Sequence, residues 1–377
     1  DAFGAAVAAH GEYVFVGAPR EDGCPGDAAG NACPDSGAVH VFSSSAEGWS
    51  PATRLAPSGE ASEARFGSAL AARDGKLVVG APEAEDCGGE DCRDAGAVYV
   101  FEARDDPGLE RAEWVQTATL TDPDPIDGAR FGAAVALGRD RTGGDVIVVG
   151  APDDPRCSAD DGVGGCTQAG AAHVFVRTST TWVHAATLRA EVPTSFELFG
   201  FAVAAADAKV AVGIRNDARC GRGVDPAVAE RTCATSGAAE IFEPVESRWR
   251  RTVVLKGDPS DRGDRFGSAL AFGGDRLFVG APGEASCATD DGPQPEDDGC
   301  PNAGAVMAFA FSEGAWSIDR PRKPSVTRAG LQFGAALSAD GDALVVGLPG
   351  DGTCRADAPA ETGCFESGRV ELLLRSP

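Results

Sequence analysis

Apolar and polar positions alternate along this chain in a phrase that repeats. Between Phe66 and Phe101 it reads FGSALAARDGKLVVGAPEAEDCGGEDCRDAGAVYVF. Its opening Phe-Gly returns at Phe3-Gly4, Phe131-Gly132, Phe199-Gly200, Phe266-Gly267 and Phe333-Gly334. A step of roughly 65 residues lies in the range of propellers and arrays. The repeats are approximately 1–65, 66–130, 131–198, 199–265, 266–332 and 333–377. No linker interrupts them, which predicts one domain over 1–377.

Each copy holds the same run of strands. The first is small and Ala-rich, as at Ser68 to Ala72 or Ala335 to Ala339, and suits an innermost strand where sheets converge. A helix of two turns would be poor in water, and turn residues follow at once. The second strand is continuously apolar, as at Leu77 to Val79 or Val146 to Val149, and ends in Gly-Ala-Pro or a variant. Hairpin-sized turns such as Asp74-Gly75 join the two. The third strand, such as Gly96 to Phe101, puts Val or Ile and Phe on one face. Its other face carries His40, Tyr99, His173, Glu240, Met307 and Glu371, which share no chemistry. That face reads as an unspecialised surface, with His40 and His173 exposed. A fourth strand begins at Trp49, Trp114, Trp182, Trp249 or Trp316, where a fixed aromatic is expected to pack between sheets. The sixth copy reaches Arg375 without it, so ring closure is expected either with a three-stranded last sheet or with residues outside this chain.

Cysteine changes the picture most. The twelve fall two per copy: Cys24 and Cys33, Cys87 and Cys92, Cys157 and Cys166, Cys220 and Cys233, Cys287 and Cys300, Cys354 and Cys364. Both members always sit in the loop between the second and third strands. A zinc site needs four converging ligands, and each loop offers two sulfurs and no nearby His. Six local disulfides are predicted, which implies an oxidising compartment and a secreted or cell-surface protein. Asp1 opens directly into the first copy, so any export signal is expected to have been removed or to lie elsewhere. Apolar runs are far too short for a membrane span, and membrane insertion is not expected. The net charge of −25 excludes nucleic acid as a natural partner and favours cations or basic surfaces.

The motif FG(S/A)A(L/V)A, then LVVGAP, a variable loop and GAVYVF, resembles the FG-GAP repeat. That repeat is the blade unit of integrin alpha-subunit propellers and of many bacterial surface proteins. The resemblance implies an all-β propeller of six blades, each of about four antiparallel strands, with seven as the alternative if residues are missing here. It also implies an extracellular binding or adhesion platform rather than a catalyst. Members often hold calcium in the hairpin before the Gly-Ala-Pro strand. Here the longest such hairpin, Arg139 to Asp145, keeps only Asp140 and Asp145, and a hard cation needs six to eight oxygens. No cofactor is therefore expected, with calcium left as an alternative at Asp140 and Asp145, at Asp122, Asp124 and Asp127, or at Asp290, Asp291, Asp297 and Asp298.

No Gly-x-Ser-x-Gly, His-Glu-x-x-His or phosphate-cradling motif is present, and no enzyme activity is expected, a glycan-acting propeller being the remaining alternative. Arg262-Gly263-Asp264 spells a tripeptide that integrins recognise, in a loop where Gly, Asp and Arg recur by composition. The fourth copy departs from the repeat, with Gly213-Ile214-Arg215 in place of Gly-Ala-Pro and Arg219, Arg222 and Arg231 around its cystine loop. Local rule-breaking marks Arg215, Arg219, Arg222 and Arg231 as candidates for contact with a protein or glycan partner. A structural spacer is the alternative role, self-associating through an open edge of the last sheet.

Overall fold

The computed structural model describes residues 1–377 apart from 24–32, 58–62, 86–91, 105–111, 158–164, 226–230, 247, 259, 290–297, 320, 353–367 and 375–377. The fold is all-β, a propeller of six antiparallel sheets. The chain divides into two compact units, Asp1–Ala208 and Lys209–Pro377.

In the first unit, three sheets follow one another. The first holds β1 (Val7–His10), β2 (Tyr13–Ala18), β3 (Ala38–Ser45) and β4 (Gly48–Leu55) in sequence order. The second holds β5 (Ala69–Arg73), β6 (Lys76–Ala81), β7 (Ala97–Arg104) and β8 (Glu113–Leu120). The third holds β9 (Ala134–Arg139), β10 (Asp145–Ala151), β11 (Ala171–Arg177) and β12 (Trp182–Leu188). Strand β13 (Phe199–Ala206) ends the unit. In the second unit, β14 (Lys209–Ile214), β16 (Ala238–Val245), β17 (Arg248–Lys256) and the two-residue β15 (Gly223–Val224) run side by side in that order. The fifth sheet is β18 (Ala269–Gly273), β19 (Arg276–Ala281), β20 (Ala305–Ser312) and β21 (Ala315–Ile318). The sixth has β22 (Ala336–Asp340), β23 (Ala343–Leu348) and β24 (Arg369–Leu374), three strands among the described residues.

Phe-Gly explains why successive sheets stack. Phe66, Phe131, Phe199, Phe266 and Phe333 are fully buried. Each precedes or opens an inner strand and lies against the Gly that opens the third strand of the sheet before it. The Phe66 amide donates to Ser36 O at 3.0 Å, and Phe131 to Ala95 O at 2.9 Å. Gly37, at φ +84°, faces Phe66, and a Cβ there would lie 2.2 Å from its carbonyl oxygen. No other residue fits a position that is both left-handed and in backbone contact. Trp114 packs between sheets as expected, its ring 4.8 Å from Phe15 of the preceding sheet, whereas Trp49 is exposed.

One expectation is overturned. The mixed face of the third strand is not surface: His173 and Glu240 are 0% exposed, and Tyr99 and Met307 are buried. These side chains meet the Phe of Phe-Gly, as in Phe66 on Tyr99 at 5.4 Å and Phe131 on His173 at 5.2 Å. Stacked sheets cover both faces of an inner strand, so alternation along it does not mark a wet side. His40 is half-buried and meets Phe3.

Candidate functional site

The loops between second and third strands share one rim with the loops that enter the next sheet. Backbone hydrogen bonds join them: Glu63 N to Pro34 O, Gly128 N to Arg93 O and Phe196 N to Thr167 O in the first unit. Gly263 N to Ala234 O and Gly330 N to Pro301 O do the same in the second. Among the described residues, Cys157 to Cys166 staples such a loop in the first unit, and Cys220 to Cys233 and Cys287 to Cys300 do so in the second. Cys33 and Cys92 are also disulfide-bonded. Cys24, Cys87, Cys354 and Cys364 lie outside the described residues.

Below the rim runs a second layer that composition hides. Four positions after the Gly that closes the second strand stands an acid: Glu21, Asp154, Asp217, Glu284 and Asp351, with Ala84 in the second copy. Asp154, Asp217 and Asp351 are 0% exposed, and each holds a cation. Burial alone works against the charged form of Asp154. Hydrogen bonds from Arg156 and Arg189 overcome it and hold the carboxyl at a pKa of about 2. Arg156 also reaches Asp122 at 2.7 Å and Asp124 at 2.9 Å, while Arg189 meets Asp154 at 2.9 Å.

In the fourth copy the counterpart is larger. Asp217 takes Arg219 and Lys256, the latter at 3.1 Å. The fully buried Lys256 Nζ also donates to Ser236 Oγ at 2.9 Å and Gly237 O at 2.6 Å. Glu240 accepts from Arg219 at 3.1 Å and faces Arg251 at 3.4 Å, yet desolvation still raises its pKa. Lys323 serves Glu284 in the fifth copy, and Arg328 and Arg369 serve Asp351 in the sixth. Only the acid half of this layer recurs at a fixed spacing. The cations come from several places, Lys256 and Arg369 from strands and Arg156, Arg189, Arg219, Lys323 and Arg328 from the segments between them, which the repeat pattern does not single out.

The four candidate arginines therefore part company. Arg219 is turned inward and engaged, so it serves the rim from beneath. Arg215 is half-buried, its pKa lowered by desolvation and by Arg265. Arg222 is exposed, 3.8 Å from Asp258, and Arg231 is exposed. Asp264 of the Arg-Gly-Asp tripeptide is 4% exposed and accepts the Asp261 amide at 2.7 Å, so its carboxylate is not displayed.

Several of the acidic candidates for a metal are likewise engaged within the chain. Asp140 Oδ1 accepts from the amides of Thr142 at 2.7 Å and Gly144 at 2.8 Å, closing its own hairpin. Asp145 pairs with Lys76 at 3.0 Å. Asp122, Asp154 and His173 are close enough together for a metal, but the Arg156 guanidinium, itself a cation, already pairs with both carboxylates. That donor set includes an imidazole, whereas calcium takes six to eight oxygens. Asp127 and Asp298 are exposed, and Asp290, Asp291 and Asp297 lie outside the described residues.

The FG-GAP repeat family matches residues 49–101 and 114–175, from the fourth strand of the first copy to the third strand of the third. A search of curated proteins finds no match. Among solved structures the chain is similar to Sqt1 from Chaetomium thermophilum in two crystal structures. One has a TM-score of 0.46 at 12% identity, covering 93% of this chain and 68% of that one. The other has the same TM-score and identity, covering 92% and 67%.

Proposed function

We propose that this chain of FG-GAP repeats is a secreted or cell-surface binding module that presents its cystine rim to a protein or glycan partner. One observation carries the reading: loops of unlike sequence stand on a layer of buried acid-cation pairs and disulfides that fixes their bases. Recognition is usually placed where variable loops ride on a rigid scaffold. The disulfides support an oxidising location. A catalytic reading has less behind it, because the buried acids Asp154, Asp217, Glu284 and Asp351 are each engaged by Arg or Lys.

Arg222 and Arg231 are the exposed cations of the fourth copy's rim and the side chains to test. Arg222→Glu with Arg231→Glu is expected to lower binding to a glycan array or a panel of extracellular proteins at least about tenfold. Arg141→Glu, on the hairpin between β9 and β10, is expected to leave it unchanged. Equal loss from both would remove the rim from the reading. No binding by the unaltered chain to either panel would remove the function.

A further inference from the structure

The outer strand of the fourth sheet differs from its counterparts in charge and in what lies beside it. β17 reads RWRRTVVLK and stands outside β16, both within the second unit. Its far side is paired only near its end, where Gly223 and Val224 of β15 run antiparallel to Lys256 and Leu255. The Asp225 amide then donates to Val254 O at 2.8 Å, and Val254 N donates to Asp225 Oδ1 at 2.8 Å. This edge therefore already takes an added strand, and that strand ends on a carboxylate. Between Arg248 and Val253 no strand pairs with the far side among the described residues.

Exposure alternates along this stretch. Arg248, Arg250 and Thr252 are exposed, while Trp249, Arg251 and Val253 are half-buried. Alternate positions share a face, so the two exposed arginines stand side by side. Arg251 is held by Glu240 at 3.4 Å, but neither Arg248 nor Arg250 is in an ion pair among the described residues. Of the nearby acids, Glu243 lies on β16, one strand in from the edge, and Glu246 lies in the turn. The other outer strands are unlike this one. The cation of β4, Arg54, meets Glu21 at 2.6 Å, and β8, β12 and β21 contain no Lys or Arg. Edge charges discourage pairing between like chains, yet β8 and β12 do without them, so protection alone does not account for the cations gathered on β17.

We propose that the edge of β17 between Arg248 and Val253 accepts an extended acidic segment of a partner protein as a further antiparallel strand. Acidic side chains of that segment would lie beside Arg248 and Arg250, and apolar ones beside Trp249 and Val253. Backbone pairing supplies the contact and charge selects the partner. A second copy offering the same edge would set arginine against arginine, so the occupant is a different chain. The surface is separate from the cystine rim, since Arg250 lies roughly 20 Å along the strand from Lys256 beneath that rim.

Fluorescence anisotropy of the full chain with a labelled peptide alternating valine and aspartate is expected to show saturable binding. The same peptide N-methylated at alternate residues keeps its charge and loses strand-pairing donors, and is expected to bind at least about tenfold more weakly. Arg248→Glu with Arg250→Glu is expected to weaken the unmethylated peptide at least as much, with unchanged circular dichroism. Hydrogen exchange of the unaltered chain locates the contact, and backbone amides of 248–253 are expected to gain protection. Equal binding of the two peptides would reduce the contact to diffuse charge attraction and overturn the proposal. So would the absence of saturable binding, or protection confined to other segments. Binding abolished by Arg222→Glu with Arg231→Glu and untouched by Arg248→Glu with Arg250→Glu would assign the peptide to the rim and overturn it too.

Discussion

At the scale of single residues, burial sets the chemistry of the ionisable groups more than net charge does. Desolvation pushes the Asp264 carboxyl up to about 7, with Glu284, Asp261 and Asp298 adding repulsion against one amide that favours the charge. His173 shows the opposite sign. Burial holds it neutral and lowers its pKa to about 4, against the pull of Asp122 and Asp154 and with the push of His184 and Arg189. The unfolded chain takes up this proton as pH falls through about 6.5, while the folded chain refuses it until about 4. Stability is therefore lost across that window, by about 3 kcal/mol in full. His173→Gln keeps a polar side chain opposite Thr187 without a titrating ring, and removes this loss. Urea midpoints from pH 7 to 4 are expected to fall less steeply in the variant. Identical slopes would show that His173 does not titrate as argued.

At the scale of the element, strands, turns and cystine loops were legible because each has a local cause. Apolar Leu77 to Val79 ends at Gly80-Ala81-Pro82, and β6 closes at Ala81. The inner strand of the second sheet begins later than the sequence suggests, at Ala69 rather than Ser68, because Phe66, Gly67 and Ser68 form the turn that seats on the preceding sheet, whereas β13 begins at Phe199 itself. What covers a strand was not legible. His173 and Tyr99 look alike to a periodicity argument whether they face water or the next sheet's Phe. The acid of the rim was within reach, since Asp154, Asp217, Glu284 and Asp351 recur at one spacing. Its partners were not, because Lys256 and Arg189 follow a closing Leu while Arg156 and Arg219 lie in the loop.

The seating of Phe-Gly on the preceding sheet predicts unequal glycines. Gly96→Ala combines φ +89° with a Cβ 2.0 Å from the Phe131 carbonyl oxygen. It is expected to cost about 2 to 4 kcal/mol, from backbone strain and a displaced neighbouring sheet. Gly11→Ala, at φ +59° with nothing within 4 Å, carries the left-handed strain alone and should cost about 1 to 2 kcal/mol. Chemical denaturation of both variants checks the difference. Equal losses would mean that the contact between sheets contributes little.

At the scale of the whole molecule, a charge of −25 has to be reconciled with a folded chain in which Asp154, Asp217 and Asp351 are buried and already paired. The excess sits at the surface, where repulsion between exposed charges is long-ranged and screened by salt over about 10 Å at 0.1 M. Any cation relieves it, so stabilisation by calcium is not by itself evidence of a calcium site. A bound calcium discriminates by size and by ligand number, and a diffuse atmosphere does not. Among the candidate carboxylates, Asp140 closes its own hairpin and Asp122 and Asp154 hold Arg156, so these three are engaged within the chain. The melting temperature is therefore expected to rise gradually with NaCl, to respond equally to calcium and magnesium at matched ionic strength, and to stay unchanged after dialysis against EDTA. A midpoint several degrees higher in calcium than in magnesium would show a true metal site and reverse this account of the acidic loops.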